Sequence, residues 1–557
     1  MKERQYVPIK AAPISSIRDM TEQAVAEAAD VIAYKYKENG GVTQVTYREF
    51  YDTTEALGAS LCDIGLGSAH FSIISENSYR WIVVFLTALR TAGVFVPIYK
   101  ELPDSDKVFL LCDSDSEVLF YSKKYAGFVK ENRDSLPNIK YFICLDGGDD
   151  GALTYDELCR QGKDLDKSAY DSQRSDPDDL KLLVYTSGTT GIAKGVMLTE
   201  HNICSSVYYG MQVSQIYDTG LSVLPYNHVY ESVCDILVTI HFHATLCIND
   251  QLKNVLSNIQ LFKPSHIYLV PAFTDLFYAK IMQGIKKQGK EKKFRLAIKL
   301  SRAMLKLGID LRPKLFGEIL SNFGGRLRRI VCGGAPIRPE IGEFFGDIGI
   351  SMTGGYGITE CSPLVSLTRA GEKVVGVGKA IPGMTVMIVS IDEHKELPAN
   401  EQGLIVTKGV SVFSGYLGGS PDPFLILDDG DKWYNTGDLG YLTPEGQLII
   451  TGRLKRFVKI GGEMISLPAL ESVLNHRWPS SDDKPLMAVE SKEVEGERPE
   501  LILFSVLEKI TPDDANKALK EAGFGNIASI SRVITIPEMP LLGTGKTDYR
   551  SLKSKIN

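Results

Sequence analysis

The chain contains no long apolar run. Its most apolar stretch, residues 81–99, is broken by Arg90 and Pro97. A helix that crosses a bilayer needs about 20 nearly uncharged residues, so no such helix is expected. The opening MKERQY is charged and has no apolar segment behind it, so no secretory signal is expected either. The nine cysteines (Cys62, Cys112, Cys144, Cys159, Cys204, Cys234, Cys247, Cys332 and Cys361) form no CxxC pair, and none lies beyond Cys361. That pattern excludes a disulfide framework or a zinc ribbon and fits free thiols in a reducing cytoplasm. Positive charge is not in excess: 62 Lys+Arg face 69 Asp+Glu, a net charge of -7, which gives no case for a nucleic-acid partner. There is no internal repeat and no low-complexity tract.

What is present is a 557-residue chain, 44% hydrophobic and 24% charged. That composition excludes a disordered chain, and the length is too great for one compact domain of roughly 100–200 residues. Short apolar runs alternate with longer helical patterns. "TYREFYDTTEALGASLCDIG" reads as an amphipathic helix ended by Gly65, "HFSIISEN" as a strand, "SYRWIVVFLTALRTAG" as a helix and "VFVPIY" as a strand. This rhythm recurs at "SEVLFYS", "YFICLD", "LKLLVYT", "GLSVLPY", "HIYLVP", "RRIVCGG" and "ISMTGGYG", and it implies parallel sheets covered by helices. From about Lys373 turn residues become frequent and strands shorten, at "TVMIVS", "GLIVTKG" and "GQLIITG", which reads as a β-rich part. After "TGRLKRFVKIGGE" a new mixed pattern begins, with a helix expected over residues 468–476.

One segment stands out chemically. In "VYTSGTTGIAKGVMLTEHN" a strand runs into Thr186, Ser187, Gly188, Thr189, Thr190 and Gly191, followed by Lys194. Glycine lets backbone N–H groups approach an anion, the hydroxyls are compact donors, and the lysine adds a point charge. A P-loop would need GxxxxGK[ST] leading into a helix. Here Gly195 and a strand-like run follow the lysine instead. The alternative is an ordinary Thr/Gly hairpin turn.

The segment resembles the phosphate-binding loop of the adenylate-forming (AMP-binding) enzymes, which include acyl-CoA synthetases, amino-acid adenylation domains and firefly luciferases. Further motifs of that family follow in order over essentially the whole chain. "CGGAPIRPE" looks like the adenine-side loop, with Gly334, Ala335 and Pro336 against the base. "TGGYGITECSP" looks like the second nucleotide motif. The resemblance implies that Gly355, Tyr356 and Gly357 line the nucleotide, with Tyr356 stacking on adenine. It also implies that Thr359 touches the α-phosphate and that Glu360, with Thr186, holds Mg2+. A carboxylate is a hard oxygen ligand of the kind Mg2+ takes beside phosphates. "YNTGDLGYLTPEGQLIITGRLKRFVKIGGEMIS" is the third match. In it Asp438 would accept from both ribose hydroxyls and Arg453 would donate to the sugar. Lys455 falls at the family's hinge, and Lys459, Gly461 and Gly462 would face the incoming thiol. Lys546, in "PLLGTGKTDYRSLK", corresponds to the catalytic lysine. Lys194 and Thr359 complete the charge-stabilising set.

The implied fold is α/β. A large N-terminal domain of two parallel-type α/β subdomains plus a β-rich subdomain (1–453) is joined by a hinge (454–456) to a small mobile α+β C-terminal domain (457–557). "LPYNHVYESV" occupies the acyl-site position, with His228 and Tyr230 as its candidates. Residues 289–336 look like an insert of bacterial long-chain acyl-CoA synthetases, while "KRF" and "GEM" are shared with acyl-carrier-protein synthetases. The implied activity is ATP-dependent ligation of a fatty acid to CoA, with ATP, Mg2+ and CoA required. An acyl-carrier-protein ligase, using carrier phosphopantetheine, and a non-catalytic acyl or nucleotide sensor are the alternatives. Between Lys280 and Lys314 the chain carries twelve Lys/Arg and two acids, interleaved with Leu296, Ile298, Leu300, Met304 and Leu305. This reads either as a membrane-surface or carrier-docking helix or as a solvated face over a core stripe. The expected location is cytoplasmic, with peripheral contact to the inner membrane face.

Overall fold

The computed structural model describes residues 12–148, 153–187, 193–214, 216–369, 372, 375–419, 422–460, 463–480, 485–492, 498–541 and 547–556. The chain divides into two compact units. One takes Met1–Val386, Thr407–Tyr434 and Gly446–Leu448; the other takes Met387–Val406, Asn435–Glu445 and Ile449–Asn557.

In the first unit the strand–helix rhythm becomes two large, mainly parallel sheets. Strand His70–Ile74 leads to Ser78, whose hydroxyl accepts the Trp81 N–H and starts helix Tyr79–Leu89. That helix is apolar all round and buried from Trp81 to Leu89, as a helix inside a core must be. The chain then returns parallel to the first strand as Val94–Pro97. Helix Tyr47–Asp63 opens on a reciprocal Thr46–Glu49 capping box. It ends just before Gly65, whose φ of +78° suits glycine. In sheet order the eight strands are Gly415–Tyr416, Ala193–Thr199, Leu180–Ser187, Val94–Pro97, His70–Ile74, Val118–Tyr121, Tyr141–Cys144 and Leu153–Thr154.

The second sheet has nine strands in the order Lys379–Ala380, Leu364–Leu367, Ser351–Gly357, Arg329–Cys332, His266–Leu269, Thr219–Ser222, Thr245–Ile248, Ile32–Glu38 and Gly41–Thr46. Every neighbouring pair from Ser351–Gly357 to Ile32–Glu38 is parallel. The central strands are buried throughout and lack alternation, because helices cover both faces of such a sheet. The carboxyl ends of Thr219–Ser222, His266–Leu269, Arg329–Cys332 and Ser351–Gly357 converge on the same edge, where open α/β sheets bind ligands. The Ile32–Glu38 and Gly41–Thr46 hairpin was not among the expected elements. Its turn is Asn39-Gly40, both at positive φ (49° and 79°).

The second unit carries the hairpin Phe457–Ile460 and Glu463–Ser466, helices Leu467–Arg477 and Pro512–Glu521, and a three-stranded sheet. In that sheet Glu500–Ser505 is antiparallel to Met487–Lys492 and parallel to Ile530–Thr535. Leu470, Leu474, Val489, Leu503 and Leu519 fill its core. The helix expected over 468–476 is present as Leu467–Arg477. The short strands of the expected β-rich part are also present, and the division between units passes through four of them: Met384–Val389, Gly403–Gly409, Lys432–Leu442 and Leu448–Arg453. Residues 454–456 form a single 3₁₀ turn, Leu454–Arg456, inside the second unit. Among the described residues, no helix is long and apolar enough to cross a membrane.

Candidate active site

Strand Leu180–Ser187 turns back antiparallel as Ala193–Thr199, and the register sets Thr186 opposite Lys194. Gly188, Thr189, Thr190 and Gly191, expected to cradle phosphate, lie outside the described residues, as does the Ser187 side chain. The next strand of the sheet, Gly415–Tyr416, pairs Tyr416 with Val196. This pairing brings the Tyr416 ring beneath Lys194, whose Nζ sits 4.7 Å from the ring centroid. The Tyr416 hydroxyl donates to Oε1 of Glu360 at 2.8 Å. Glu360 itself lies in the turn Thr359–Cys361, directly after strand Ser351–Gly357, and its backbone carbonyl accepts the Phe413 N–H at 2.9 Å. Two residues expected to act on phosphate and metal, Lys194 and Glu360, are thus held by one tyrosine that the sequence reading did not single out. Burial, and then the Glu360 charge, push the Tyr416 phenol well above its ordinary value. It therefore stays protonated and remains a donor at any working pH.

The elements expected on the adenine side and those expected at the acyl site meet in a single cavity. Strand Arg329–Cys332 ends at Gly333 and Gly334, the latter at φ +81°. Gly357 lies so close to the next loop that a Cβ there would stand 2.6 Å from the Pro363 carbonyl oxygen. Gly334, Gly355, Tyr356 and Gly357 line the cavity together with His228 and Tyr230. Most of the remaining lining is apolar, including Val207, Gly210 and Met211 of helix Glu200–Val213 and Val233, Cys234 and Val238, with the hydroxyl residues Ser206 and Ser214 among them. Tyr356 and Thr359 are buried, whereas Ala335 and Pro336 follow Gly334 on an exposed turn.

Local chemistry builds the wall that carries His228 and Tyr230. The His228 Nδ1 accepts the Tyr230 N–H at 3.2 Å, starting the short helix Val229–Glu231. Tyr230 donates its hydroxyl to the Val331 carbonyl at 3.1 Å, tying this wall to the strand that carries the adenine-side loop. The helix continues as a π-helical stretch, Ser232–Leu237, a widening often found at functional sites. Behind it Glu231 and Asp235 are fully buried. Glu231 accepts the Val223 N–H at 3.0 Å, and burial pushes both carboxyls upward. Both acids sit in or just beyond the quoted "LPYNHVYESV", yet nothing in the string distinguishes them from surface acids.

In the second unit, the structure brings Asp438 and Arg453 together. Asp438 is buried after Gly437 (φ +70°), and the Arg453 Nε lies 3.1 Å from its Oδ1. Lys455 is exposed in the turn Leu454–Arg456, and Lys459 is exposed on strand Phe457–Ile460. Gly461, Gly462 and Lys546 lie outside the described residues. The sequence reading also passed over Arg456. Its guanidinium reaches Glu471 at 2.6 Å and Glu490 at 2.5 Å, and it stacks 3.6 Å from the Tyr549 ring centroid.

The chain is 28% identical over 468 residues to a long-chain-fatty-acid–CoA ligase of Mycobacterium bovis, covering 80% of this chain and 75% of that protein. It is 26% identical over 563 residues to long-chain-fatty-acid–CoA ligase 5 of Rattus norvegicus, covering 92% and 82%. In fold it is similar to the anthranilate CoA ligase AuaEII in complex with anthranoyl-AMP, with a TM-score of 0.76 at 18% identity over 98% of each chain. It is likewise similar to the Bacillus subtilis O-succinylbenzoate coenzyme A synthetase in complex with AMP, with a TM-score of 0.72 at 19% identity over 96% and 98%. The family model described as "AMP-binding enzyme" matches residues 21–417, which take in the strand pair of Lys194, the cavity and Tyr416; the chain belongs to the AMP-binding enzyme family.

Proposed function

We propose that the protein is an ATP-dependent fatty acid–CoA ligase acting on medium to long chains. The observation that carries this reading is the cavity. Residues of two nucleotide motifs line it together with mostly apolar side chains around Gly210 and Val233. A carboxylate with an aliphatic tail fits such a lining: the tail among the apolar side chains, the carboxylate at Gly357 and Thr359, beside the α-phosphate of ATP.

In the first step a carboxylate oxygen attacks the α-phosphorus, and the bond to pyrophosphate breaks. In the second step a thiolate sulfur attacks the acyl carbonyl, and the bond to AMP breaks. Both steps need charge stabilisation more than a protein nucleophile. Lys194, Thr359 and Lys546 are the residues proposed to supply it. Glu360, oriented by Tyr416, and Thr186 offer the hard oxygen donors that Mg2+ takes, and the ion would neutralise phosphate charge. Asp438 and Arg453 are proposed to hold the ribose. The domains are proposed as 1–453 and 457–557 about a hinge at 454–456. Lys546 would act in the first step, and Lys459, Gly461 and Gly462 in the second, after rotation at Lys455. We further propose that the protein works as a peripheral protein on an anionic membrane face through residues 280–314.

Pyrophosphate release with palmitate, with and without CoA, tests the function. Release in the presence of palmitate and ATP, with thioester formed when CoA is added, is the expected result. Thioester with holo acyl carrier protein but not with CoA would move the protein to the carrier ligases. No release with any acid would make it a sensor.

A further inference from the structure

The segment 280–314 holds a feature that a solvated helix does not need. Helix Glu291–Lys306 packs Phe294, Ala297, Ile298 and Ser301 toward the core of the first unit. That is one apolar face, and one is enough to fold it. On the solvent side Leu296 is 67% exposed, Leu300 47% and Leu307, at the C-terminal cap, 73%. At 3.6 residues per turn these three leucines fall within an arc of about 40°, well away from the core face. Ile309, 46% exposed, follows just beyond the helix. The same periodicity sets Lys292 and Lys299 on one flank of the leucine stripe and Lys293 on the other. None of these three lysines forms an ion pair among the described residues. Lys290 and Arg302 do, with Glu318 and Asp347. Of the two acids between Lys280 and Lys314, Asp310 is held by Arg312 at 2.9 Å.

We propose that this second stripe inserts into an anionic lipid bilayer, with Leu296, Leu300, Leu307 and Ile309 entering the acyl boundary and Lys292, Lys293 and Lys299 meeting the headgroup phosphates. The proposal rests on the peripheral-membrane reading above and specifies what makes the contact. Two observations favour a bilayer over an acidic protein. The lysines flank the leucines on both sides, as in helices that lie in the membrane interface. The leucines also stand proud of the surface, where a bilayer accepts them without needing a complementary groove. A surface serving only electrostatic adsorption would have no use for them. The position suits an enzyme whose acid substrate partitions into membranes.

The test is flotation of the full-length protein with vesicles of phosphatidylcholine alone or mixed with phosphatidylglycerol, without substrate, at low and high salt. Wild type is expected to float with the anionic vesicles, less so at high salt. The variant Leu296→Ser/Leu300→Ser/Leu307→Ser keeps every charge and is expected to lose binding by about tenfold or more, since interfacial binding scales with buried apolar area. In otherwise wild-type protein, Leu296→Trp is expected to shift its emission to the blue on vesicle addition. ATP-dependent thioester formation from a short, soluble acid and CoA should be unchanged in both variants, which checks that they fold. If the triple variant floats like wild type, lipid contact is electrostatic only: the peripheral reading stands and the insertion proposal falls. If wild type does not float at all, or binds holo carrier protein instead, both fall.

Discussion

Tyr416→Phe isolates the contact that joins Lys194 to Glu360. The substitution removes one hydroxyl and leaves the ring, so the 4.7 Å approach of Lys194 to the aromatic face survives while the 2.8 Å bond to Glu360 is lost. A hydrogen bond to a charged group contributes about 1.5–3 kcal/mol. Glu360 is only half-buried, so solvent replaces part of that contact and the lower figure applies. If Glu360 must be oriented in the transition state, pyrophosphate release should fall about tenfold, at 1.36 kcal/mol per factor of ten. The apparent Mg2+ requirement should rise with it. Tyr416→Leu also removes the ring, which adds about 0.5–1 kcal/mol for the cation contact. The decisive measurement is a double-mutant cycle with Glu360→Ala. That change alone is expected to cost on the order of 10²–10³ in rate, as loss of a charge-stabilising group often does. In the Glu360→Ala background, Tyr416→Phe should then change the rate less than about twofold, because a residue that acts through another has nothing left to act on. Fully additive losses, or a Tyr416→Phe enzyme with wild-type rate and Mg2+ dependence, would refute the reasoning.

Three further outcomes are expected. Lys546→Ala should lose adenylate formation by several orders of magnitude yet still convert supplied acyl-adenylate and CoA to thioester at near wild-type rate; equal damage to both half-reactions would count against alternation. Gly210→Leu should lower kcat/KM for palmitate at least about tenfold against a short acid, since the new Cβ would stand 3.1 Å from Leu364 in the cavity wall and each excluded methylene is worth about 0.8 kcal/mol; an unchanged chain-length profile would remove Gly210 from the acyl path. Arg456→Ala should destabilise the second unit by about 3–5 kcal/mol, because it strands two buried carboxylates. Burial already raises Glu471 and Glu490 above their ordinary 4.5. The folded state therefore binds their protons more tightly than the unfolded state, and the stability they contribute is lost as pH rises past 4.5. Removing Arg456 raises them further, so the gap in melting temperature between variant and wild type should widen from pH 4.5 to pH 8, and a constant gap would refute the linkage.

The parts of the fold that were legible in the sequence are those set by local rules. Buried parallel strands announce themselves as unbroken apolar runs, and Gly65 and the Thr46–Glu49 box mark helix ends without reference to any partner. The nucleotide motifs were legible for a similar reason: Gly334 and Gly357 answer to a positive φ and to a close backbone approach. The hairpin at Asn39-Gly40 carried its signal too: Tyr34, Lys35, Tyr36 and Lys37 alternate into an Asn-Gly turn, so it was legible and was passed over. Tyr416 gave no such sign. Its strand is two residues long, and its role arises only because Gly415–Tyr416 pairs with a segment more than 200 positions earlier.

Arg456 shows how much a missed contact can bear on function. In the sequence it is one of several cations around the hinge position, and nothing distinguishes it from Lys455. In the structure Lys455 is exposed, while Arg456 is tied to Glu471 on helix Leu467–Arg477, to Glu490 on strand Met487–Lys492 and to the Tyr549 ring. A side chain bonded to a helix and a strand of the same core moves with that core. In the proposed alternation, then, the backbone torsions free to change are those before Arg456. The hinge narrows from residues 454–456 to Leu454 and Lys455. A proline at Lys455, which fixes φ near -65°, should accordingly hinder the second half-reaction more than the first, whereas Arg456→Lys should alter stability and leave the ratio of the two half-reactions unchanged.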